Sequence, residues 1–140
     1  GRFEVRSIKG SRGMLINDCY NANPESMKEA LLAFERVEAR GKKIAVLGDM
    51  LELGVNTPFW HRQIGRTLRK APSLTQVIFV GNHIKAAESS VPRGISFTTV
   101  ANWQEAVEEL RRHLSDDVAV LVKASNGMGL KNLVEHISGI

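Results

Sequence analysis

Short apolar runs alternate with longer amphipathic stretches, and this alternation limits the possible folds more than any other feature. Residues 44–47, 77–80 and 118–122 are continuous apolar runs. Runs of this kind are typical of strands that are buried on both faces of a parallel sheet. Because a helical pattern follows each run, we expect an α/β fold. It is predicted to be a Rossmann-like three-layer sandwich, with about six mostly parallel strands and helices on both faces.

The beginning of the chain has a different pattern. Residues 3–8 alternate loosely between apolar and polar side chains, residues 9–13 are rich in glycine, and residues 14–17 form a second short run. Two short runs joined by turn residues predict a β-hairpin. A weaker run at residues 95–100 predicts a strand near a sheet edge.

Two helix starts are marked by a cap residue followed by proline. Asn23 precedes Pro24, and Thr57 precedes Pro58. Such residues accept hydrogen bonds from the first helical amides, and proline at the first position loses no hydrogen bond. Gly41 is predicted to end the first of these helices.

Composition narrows the class of protein. The 140 residues are 43% hydrophobic and 24% charged, which suits one soluble domain with one core. No apolar run approaches the ~20 residues of a membrane span. Cys19 is the only cysteine, so packing must hold the fold, as in a reducing cytoplasm. The net charge of +4 favours anionic ligands, but no basic cluster predicts a nucleic-acid partner.

Several chemical motifs are missing from the sequence. Neither glycine-rich phosphate-binding pattern, G-x-G-x-x-G or G-x-x-x-x-G-K-[ST], occurs. The four histidines are scattered, and Cys19 has no evident histidine partner, so it is expected to be a buried structural cysteine. We therefore expect a chain that holds no metal by itself and is not a complete nucleotide hydrolase.

Polar residues follow four of the predicted strands. Asp18, Asp49, Gly81 and Lys123 each come directly after, or at the end of, an apolar run. Parallel sheets bind ligands beyond the carboxyl ends of their strands. These residues are therefore predicted to lie at the ligand-binding edge of the sheet.

Four stretches of the sequence resemble one enzyme family. Residues 17–27, Asn-Asp-Cys-Tyr-Asn-Ala-Asn-Pro-Glu-Ser-Met, are similar to a long segment of the UDP-N-acetylmuramoyl-tripeptide:D-alanyl-D-alanine ligases of the Mur ligase family. Residues 1–4, residues 46–54 with His61 after them, and residues 122–125 resemble the same family in the same order. The resemblance extends over essentially the whole chain.

This resemblance implies that residues 1–140 are the C-terminal, third domain of a bacterial cytoplasmic enzyme. An N-terminal domain for the UDP-linked substrate and a central P-loop ATPase domain, which binds ATP and Mg²⁺, would be separate from this chain. The implied enzyme adds D-alanyl-D-alanine to UDP-N-acetylmuramoyl-tripeptide through an acyl phosphate in peptidoglycan synthesis. The third domain closes over the others and is expected to be inactive alone.

By the same resemblance, five residues would contact the nucleotide. Asp18 would bind the ribose, Arg2 the phosphates, and Tyr20, Asn21 and Asn23 would lie near the adenosine. Four of them have a simpler alternative: Asp18 and Asn21 could form an Asx-type turn, and the only role of Asn23 could be to cap its helix. Arg2 could be an ordinary solvated terminal residue.

The resemblance also places residues near the incoming dipeptide. Lys123 would extend to the edge and meet a carboxylate or phosphate, with Ser125 and Asn126 beside it. The family's Lys-Gly-Ser-Arg segment differs here at Ala124 and Asn126. Loss of the arginine removes a bidentate carboxylate donor, which leaves the roles of Ser125 and Asn126 open.

Three residues that follow the apolar run at residues 44–47 have two interpretations each. They are Asp49, Glu52 and His61. Asp49 and Glu52 could position a substrate amine, although neighbouring apolar residues favour packing. His61 could contact substrate, but its place on an apolar helix stripe favours a neutral structural histidine.

Two other functions share some of these features. A signalling receiver also carries acidic residues after early strands and a lysine after the last one, as Asp18, Asp49 and Lys123 do. A receiver needs a second acid beside Asp18 to hold Mg²⁺, whereas Asn17 and Cys19 flank it. The third possibility is a stand-alone nucleotide- or protein-binding module of this fold.

Overall fold

The computed structural model describes residues 3–139, which form one six-stranded sheet with strand order β1-β2-β6-β3-β4-β5. The strands are β1 (Glu4–Ser7), β2 (Met14–Asn17), β3 (Lys43–Gly48), β4 (Gln76–Val80), β5 (Ser96–Val100) and β6 (Ala119–Lys123). β1 pairs antiparallel with β2, and all other neighbours are parallel. The predicted hairpin, the parallel sheet and the edge position of β5 are confirmed.

Helices cover both faces of this sheet. They are α1 (Pro24–Glu35), α2 (Thr57–Thr67), α3 (Trp103–Arg111) and α4 (Leu130–Ile137), with 3₁₀ segments at Gly54–Asn56, Leu68–Lys70, His83–Ser90 and Asn126–Met128. The segment His83–Ser90 packs with α1 and α2 in one apolar core, and α3 and α4 form the other. The predicted three-layer sandwich is confirmed. Within residues 3–139, none of the helices has the length and apolar character needed to cross a membrane.

The continuous apolar runs reflect this double coverage. In β6, Ala119 and Leu121 point into the core under α1 and α2, whereas Val120 and Val122 point into the core under α3 and α4. Successive side chains of a strand face opposite sides of a sheet. A strand between two helical layers therefore has no polar face.

The start of α1 agrees with the prediction, but its end does not. Asn23 is the N-cap and Pro24 the first helical residue, whereas the helix ends at Glu35, well before Gly41. The ammonium group of Lys43, on β3, donates to the carbonyl oxygens of Glu35 (3.1 Å) and Val37 (2.6 Å). These bonds satisfy carbonyls at the helix end, so no glycine is needed there.

The start of α2 also differs from the prediction. Thr57 is the first helical residue and not the cap, and the capping position Asn56 makes no side-chain cap bond. The Thr57 hydroxyl instead donates to the Gly54 carbonyl at 2.6 Å. The predicted apolar stripe is confirmed by the buried residues His61, Ile64, Gly65 and Leu68.

Candidate functional site

The connections of the sheet open a crevice between β2 and β6. These strands are parallel neighbours, yet β2 leads into α1 on one face and β6 leads towards α4 on the other. Where adjacent strands send their chains to opposite faces, the outgoing loops diverge and leave space for a ligand. Asp18, the first residue after β2, and Lys123, the last residue of β6, lie at this point.

Asp18 and Lys123 form an ion pair inside the crevice. The distance from the Lys123 Nζ to the Asp18 Oδ2 is 3.4 Å. The same ammonium donates to the Asn21 carbonyl at 2.7 Å and lies 3.4 Å from the Asp18 carbonyl. Lys123 is only 2% exposed, so its ammonium group lies at this edge of the sheet but is shielded from solvent, and its contact with a substrate stays a prediction. The Asp18 and Asn21 carbonyl groups, in the loop after β2, contact its ammonium group and shield it from solvent.

A cleft of about 300 Å³ adjoins this pair. Asp18, Asn21, Asn23 and Lys123 line it together with Phe3, Ser26, Glu29, Ala30 and Ala33. Within residues 3–139, the Asp18 carboxylate accepts no hydrogen bond apart from its contact with Lys123. A carboxylate in a cleft with remaining acceptor capacity can bind ligand hydroxyl groups.

The Asn23 side chain has a defined structural role. Its Oδ1 accepts the Ser26 amide at 2.8 Å, and the Ser26 hydroxyl accepts the Asn23 amide at 3.0 Å. This reciprocal capping box confirms the capping interpretation. In the described part of the chain, neither Asp18 nor Asn21 accepts a backbone amide with its side chain, so the alternative Asx-type turn is not formed.

The structure brings only some of the predicted nucleotide-binding residues together. Asp18, Asn21 and Asn23 share the cleft. Tyr20 is 66% exposed and does not line it. Arg2 lies outside the residues that the structure describes.

Several cleft residues were missed by sequence reasoning. Ser26, Glu29, Ala30 and Ala33 lie on α1, three, four and seven positions apart, which is the spacing of one helix face. That face begins at the cap residue Asn23, so helical spacing from Asn23 would have found them. No sequence signal indicated that Phe3 would line the cleft.

Asp49 follows β3 and is buried, with both carboxylate oxygens occupied. Its Oδ1 accepts the Ile84 amide at 2.8 Å, and its Oδ2 accepts the Asn82 amide at 3.2 Å. At Gly81, where φ is +124°, a Cβ atom would come within 2.5 Å of the same carboxylate. Asp49 therefore fixes the loop after β4, and both oxygens that the amine-positioning hypothesis requires are already bonded.

His61 connects α2 to the loop after β3. Its Nε2 accepts the Met50 amide at 2.9 Å, and its Nδ1 lies 2.8 Å from the Thr57 carbonyl. These partners require a neutral ring with the proton on Nδ1. Burial lowers the pKa of His61, which agrees with a neutral side chain. The predicted neutral, hydrogen-bonded histidine is confirmed, and a contact of His61 with substrate stays a prediction.

Ser125 joins two loops at the edge of the sheet. Its hydroxyl accepts the Leu51 amide at 2.8 Å and donates to the Ala22 carbonyl at 3.3 Å. Asn126, the next residue, is exposed. Ala124 is buried against Gly48, where a Cβ atom would come within 2.6 Å of the Ala124 methyl. The small residue at 124 therefore fits a close approach of two strand ends.

The remaining reactive residues form no separate centre. Cys19 is buried, its thiol donates to the Asn17 Oδ1, and burial raises the pKa of the thiol. This placement confirms the structural interpretation of the cysteine. Residues 3–139 contain no group of three or more histidine, cysteine or acidic side chains that could hold a metal ion.

Comparison with known proteins identifies the family. Residues 1–126 match the family described as Mur ligase, glutamate ligase domain. The UDP-N-acetylmuramoyl-tripeptide–D-alanyl-D-alanine ligase of Bacillus subtilis is 36% identical over 143 aligned residues, which cover 96% of this chain and 30% of that protein. The chain thus spans about 30% of the length of this curated relative.

Solved structures agree with this match. The MurF ligase of Thermotoga maritima in complex with ADP has a TM-score of 0.76 and 28% identity, covering 96% of this chain and 30% of that one. A MurF structure from Acinetobacter baumannii has a TM-score of 0.80 and 26% identity, covering 97% and 29%. The chain therefore belongs to the Mur ligase family and carries its glutamate ligase domain.

Proposed function

We propose that this chain is the C-terminal, third domain of an ATP-dependent ligase that joins D-alanyl-D-alanine to UDP-N-acetylmuramoyl-tripeptide. The relative from B. subtilis bears the name of that activity, and the similar T. maritima structure was solved with ADP. The proposed enzyme works in the bacterial cytoplasm and supplies peptidoglycan precursors. Its N-terminal and central domains would be the partners of this domain.

The Asp18 carboxylate is the observation that carries this proposal. It lies in the crevice between β2 and β6, paired with Lys123 on one side and open to the cleft on the other. Vicinal ribose hydroxyls are donors that a carboxylate binds well. We assign the ribose to Asp18, the adenosine surroundings to Tyr20, Asn21 and Asn23, and the phosphates to Arg2.

The phosphate groups and the metal need other residues. The sequence has no phosphate-binding glycine loop, and residues 3–139 contain no metal-binding cluster. The described residues therefore offer no site for Mg²⁺, and we assign Mg²⁺ and most contacts with the ATP phosphates to the proposed central domain. This chain would then contribute Arg2 to the phosphates, together with contacts to the nucleoside and to the acceptor dipeptide.

The physical contribution of the domain would be positioning. A reaction through an acyl phosphate requires the acceptor amine close to the reacting carbon and water kept away from it. Lys123 and Ser125 hold the edge loops in place by bonds to Asn21, Ala22 and Leu51. In this proposal, closure of the domain brings those loops, with Asn126 exposed beside them, against the other substrates.

A phosphate-release assay tests the proposed function. We expect the full-length protein to release phosphate from ATP only when UDP-N-acetylmuramoyl-tripeptide and D-alanyl-D-alanine are both present. Asp18→Asn should lower kcat/KM for ATP by at least about tenfold, because loss of a charge-assisted hydrogen bond is worth about 1.5–3 kcal/mol. Asp116→Asn is the matched control, because Asp116 is an exposed aspartate that does not line the cleft.

Phosphate release that does not depend on the dipeptide would contradict the proposal. So would equal activity of the two variants.

The receiver interpretation gains no support from the structure or the comparisons. Asp49 would be a candidate phosphoacceptor, but both of its oxygens accept backbone amides and the residue is buried. Asp18 has Asn17 and Cys19 beside it and is paired with a lysine. Neither aspartate offers the paired acidic site that such a switch requires.

A further inference from the structure

The side chain of Asn17, the last residue of β2, is a buried amide that the proposed function does not use. Asn17 is 5% exposed and directly precedes Asp18. Burial of an amide costs free energy unless its polar atoms are bonded, so its partners indicate what holds it there. Those partners are the side chains of Glu4 and Cys19.

The two partners fix the orientation of the amide group. The Asn17 Nδ2 donates to the Glu4 Oε1 at 3.0 Å, and the Cys19 thiol donates to the Asn17 Oδ1. An ionised carboxylate only accepts hydrogen bonds, so the amide nitrogen must face Glu4. The bond from Asn17, followed by the bond from Arg6, lowers the pKa of Glu4 and so favours its ionised form.

The bond between Asn17 and Cys19 spans Asp18. Side chains two positions apart in a strand lie on one face of the sheet, and the side chain between them lies on the other. Cys19 accordingly packs in the core under α3 and α4, whereas Asp18 lines the cleft beside α1. The Asp18 amide also donates to the Val122 carbonyl at 2.9 Å. The backbone at Asp18 is therefore held on both sides of the residue.

The bond between Asn17 and Glu4 extends to a second cleft residue. Glu4 is the first residue of β1 and pairs with Asn17 across the hairpin. Phe3, which lines the cleft, immediately precedes Glu4. One buried amide group is thus adjacent in sequence to Asp18 and bonded to the residue adjacent to Phe3.

We propose that Asn17 is a positioning residue for the nucleotide and that its amide group holds Asp18 and Phe3 in fixed positions relative to each other. The inference rests on the proposed function, in which Asp18 binds the ribose. Asn17 acts through its neighbours and does not contact the ligand. Since misplacement of a binding group by about 1 Å can greatly weaken its contacts, a rigid support for Asp18 contributes to affinity. An apolar side chain could fill the same space but could not bond to Glu4 and Cys19.

A change in the contact with Glu4 tests this role. Asn17→Asp keeps an acceptor for the Cys19 thiol but places a second carboxylate against Glu4, and like charges repel. We expect the dissociation constant for ADP, measured by calorimetry on the full-length protein, to rise about fivefold. The effect is smaller than that of Asp18→Asn, because the Asp18 carboxylate is displaced and not removed. KM for D-alanyl-D-alanine should stay within about twofold.

A second substitution should restore the bond with its direction reversed. Glu4→Gln alone leaves an oxygen that accepts the Asn17 amide, so ADP affinity should stay within about twofold of wild type. When Glu4→Gln is combined with Asn17→Asp, the amide at position 4 donates to the carboxylate at position 17. ADP affinity should then return to within about twofold of wild type, which a general packing defect at position 17 would not allow.

Glu4→Ala tests the same bond without a change in the core. The Glu4 side chain is 43% exposed, so this variant is expected to fold even if Asn17→Asp does not. It should raise the dissociation constant for ADP about threefold, because the Asn17 amide loses its partner. Asn102→Asp is the matched control for the added charge. Asn102 accepts the Glu105 amide at 2.9 Å, as an aspartate also can, and it does not line the cleft. Its ADP affinity should equal that of wild type.

The inference is overturned if Glu4→Ala, or a folded Asn17→Asp, leaves ADP affinity unchanged, since Asn17 would then be structural only. It is also overturned if the double variant binds ADP no better than Asn17→Asp, or if the wild type does not bind ADP. A wild-type protein that binds ADP but shows no dipeptide-dependent phosphate release would refute the proposed ligase activity alone.

Discussion

Asp18 and Asp49 occupy equivalent positions in the sheet, yet their surroundings differ. Each is the first residue after a parallel strand, β2 for Asp18 and β3 for Asp49. Both oxygens of Asp49 accept backbone amides from the loop after β4. Asp18 contacts the Lys123 ammonium and otherwise faces a cleft of about 300 Å³. The same residue type is structural at one strand end and available for a ligand at the other.

The neighbouring strands explain the difference. β3 lies beside β4, a parallel strand whose outgoing loop brings amides to the same edge. β2 lies beside β1, which is antiparallel, with Glu4 at the start of β1 paired to Asn17 at the end of β2. No outgoing loop of β1 reaches this edge, and Phe3 lines the cleft instead. The hairpin therefore creates the space that a ligand needs.

The largest effect is expected at Asp49. Asp49→Asn replaces one acceptor oxygen with an amide nitrogen that faces a backbone donor, and it weakens the other bond. We expect the free energy of unfolding to fall by about 3 kcal/mol, since hydrogen bonds to charged groups are worth about 1.5–3 kcal/mol each. Urea denaturation measures this. A loss of unfolding free energy below about 0.5 kcal/mol, as for a surface substitution, would show that Asp49 is no more structural than Asp18.

The Ser125 hydroxyl links the loop after β2 to the loop after β3, so its removal should destabilise both loops. Ser125→Ala leaves the Leu51 amide and the Ala22 carbonyl without their partner, and we expect a loss of about 2 kcal/mol. Ser138→Ala is the control, because the buried Ser138 hydroxyl has no partner within residues 3–139. Equal stability of the two variants in urea would show that the link between the loops contributes nothing.

At Asp18 the main effect should be on ligand binding. Asp18→Asn keeps an oxygen near Lys123, and the Lys123 ammonium retains the Asn21 carbonyl. We expect a loss of about 1 kcal/mol in stability, less than at Asp49, but a rise of about tenfold in KM for ATP. ATP titrations of the full-length protein measure the second effect. A large loss of stability with an unchanged KM for ATP would show that Asp18 is structural and does not bind the ligand.

The smallest effect is the pH dependence of stability. It comes from His61, which accepts the amide of Met50, the residue after Asp49. Burial lowers the pKa of His61 below its ordinary value of 6.5, so the unfolded chain binds a proton that the folded chain does not. Stability is complete above that value and should fall as pH decreases below it. His61→Gln should reduce this slope, as measured by denaturation between about pH 5.5 and 7. An equal slope in the variant would contradict the neutral, buried histidine.

Local patterns predicted most of the fold. Apolar runs identified the strands, and the cap residue Asn23 with Pro24 identified the start of α1. The end of α1 was not predictable in this way, because Lys43 satisfies its last carbonyls from a strand that is distant in sequence.

The candidate site was predictable as a location but not as a set of roles. Residues that follow parallel strands were expected at one edge, and Asp18 does meet Lys123 there. The roles of Asp49 and His61 depend on which backbone amides the fold brings to them, and this is a tertiary property. The positive φ of Glu52 (64°) is likewise visible only in the backbone conformation.

The most direct test measures stability and ATP dependence on the same preparations of full-length Asp18→Asn and Asp49→Asn. Assays run well below both unfolding midpoints separate binding from folding. We expect Asp18→Asn to change KM for ATP about tenfold with little loss of stability, and Asp49→Asn to lose stability with KM within about twofold. Equal losses of stability in both variants, with the same KM as wild type, would contradict the division of roles between the two strand ends.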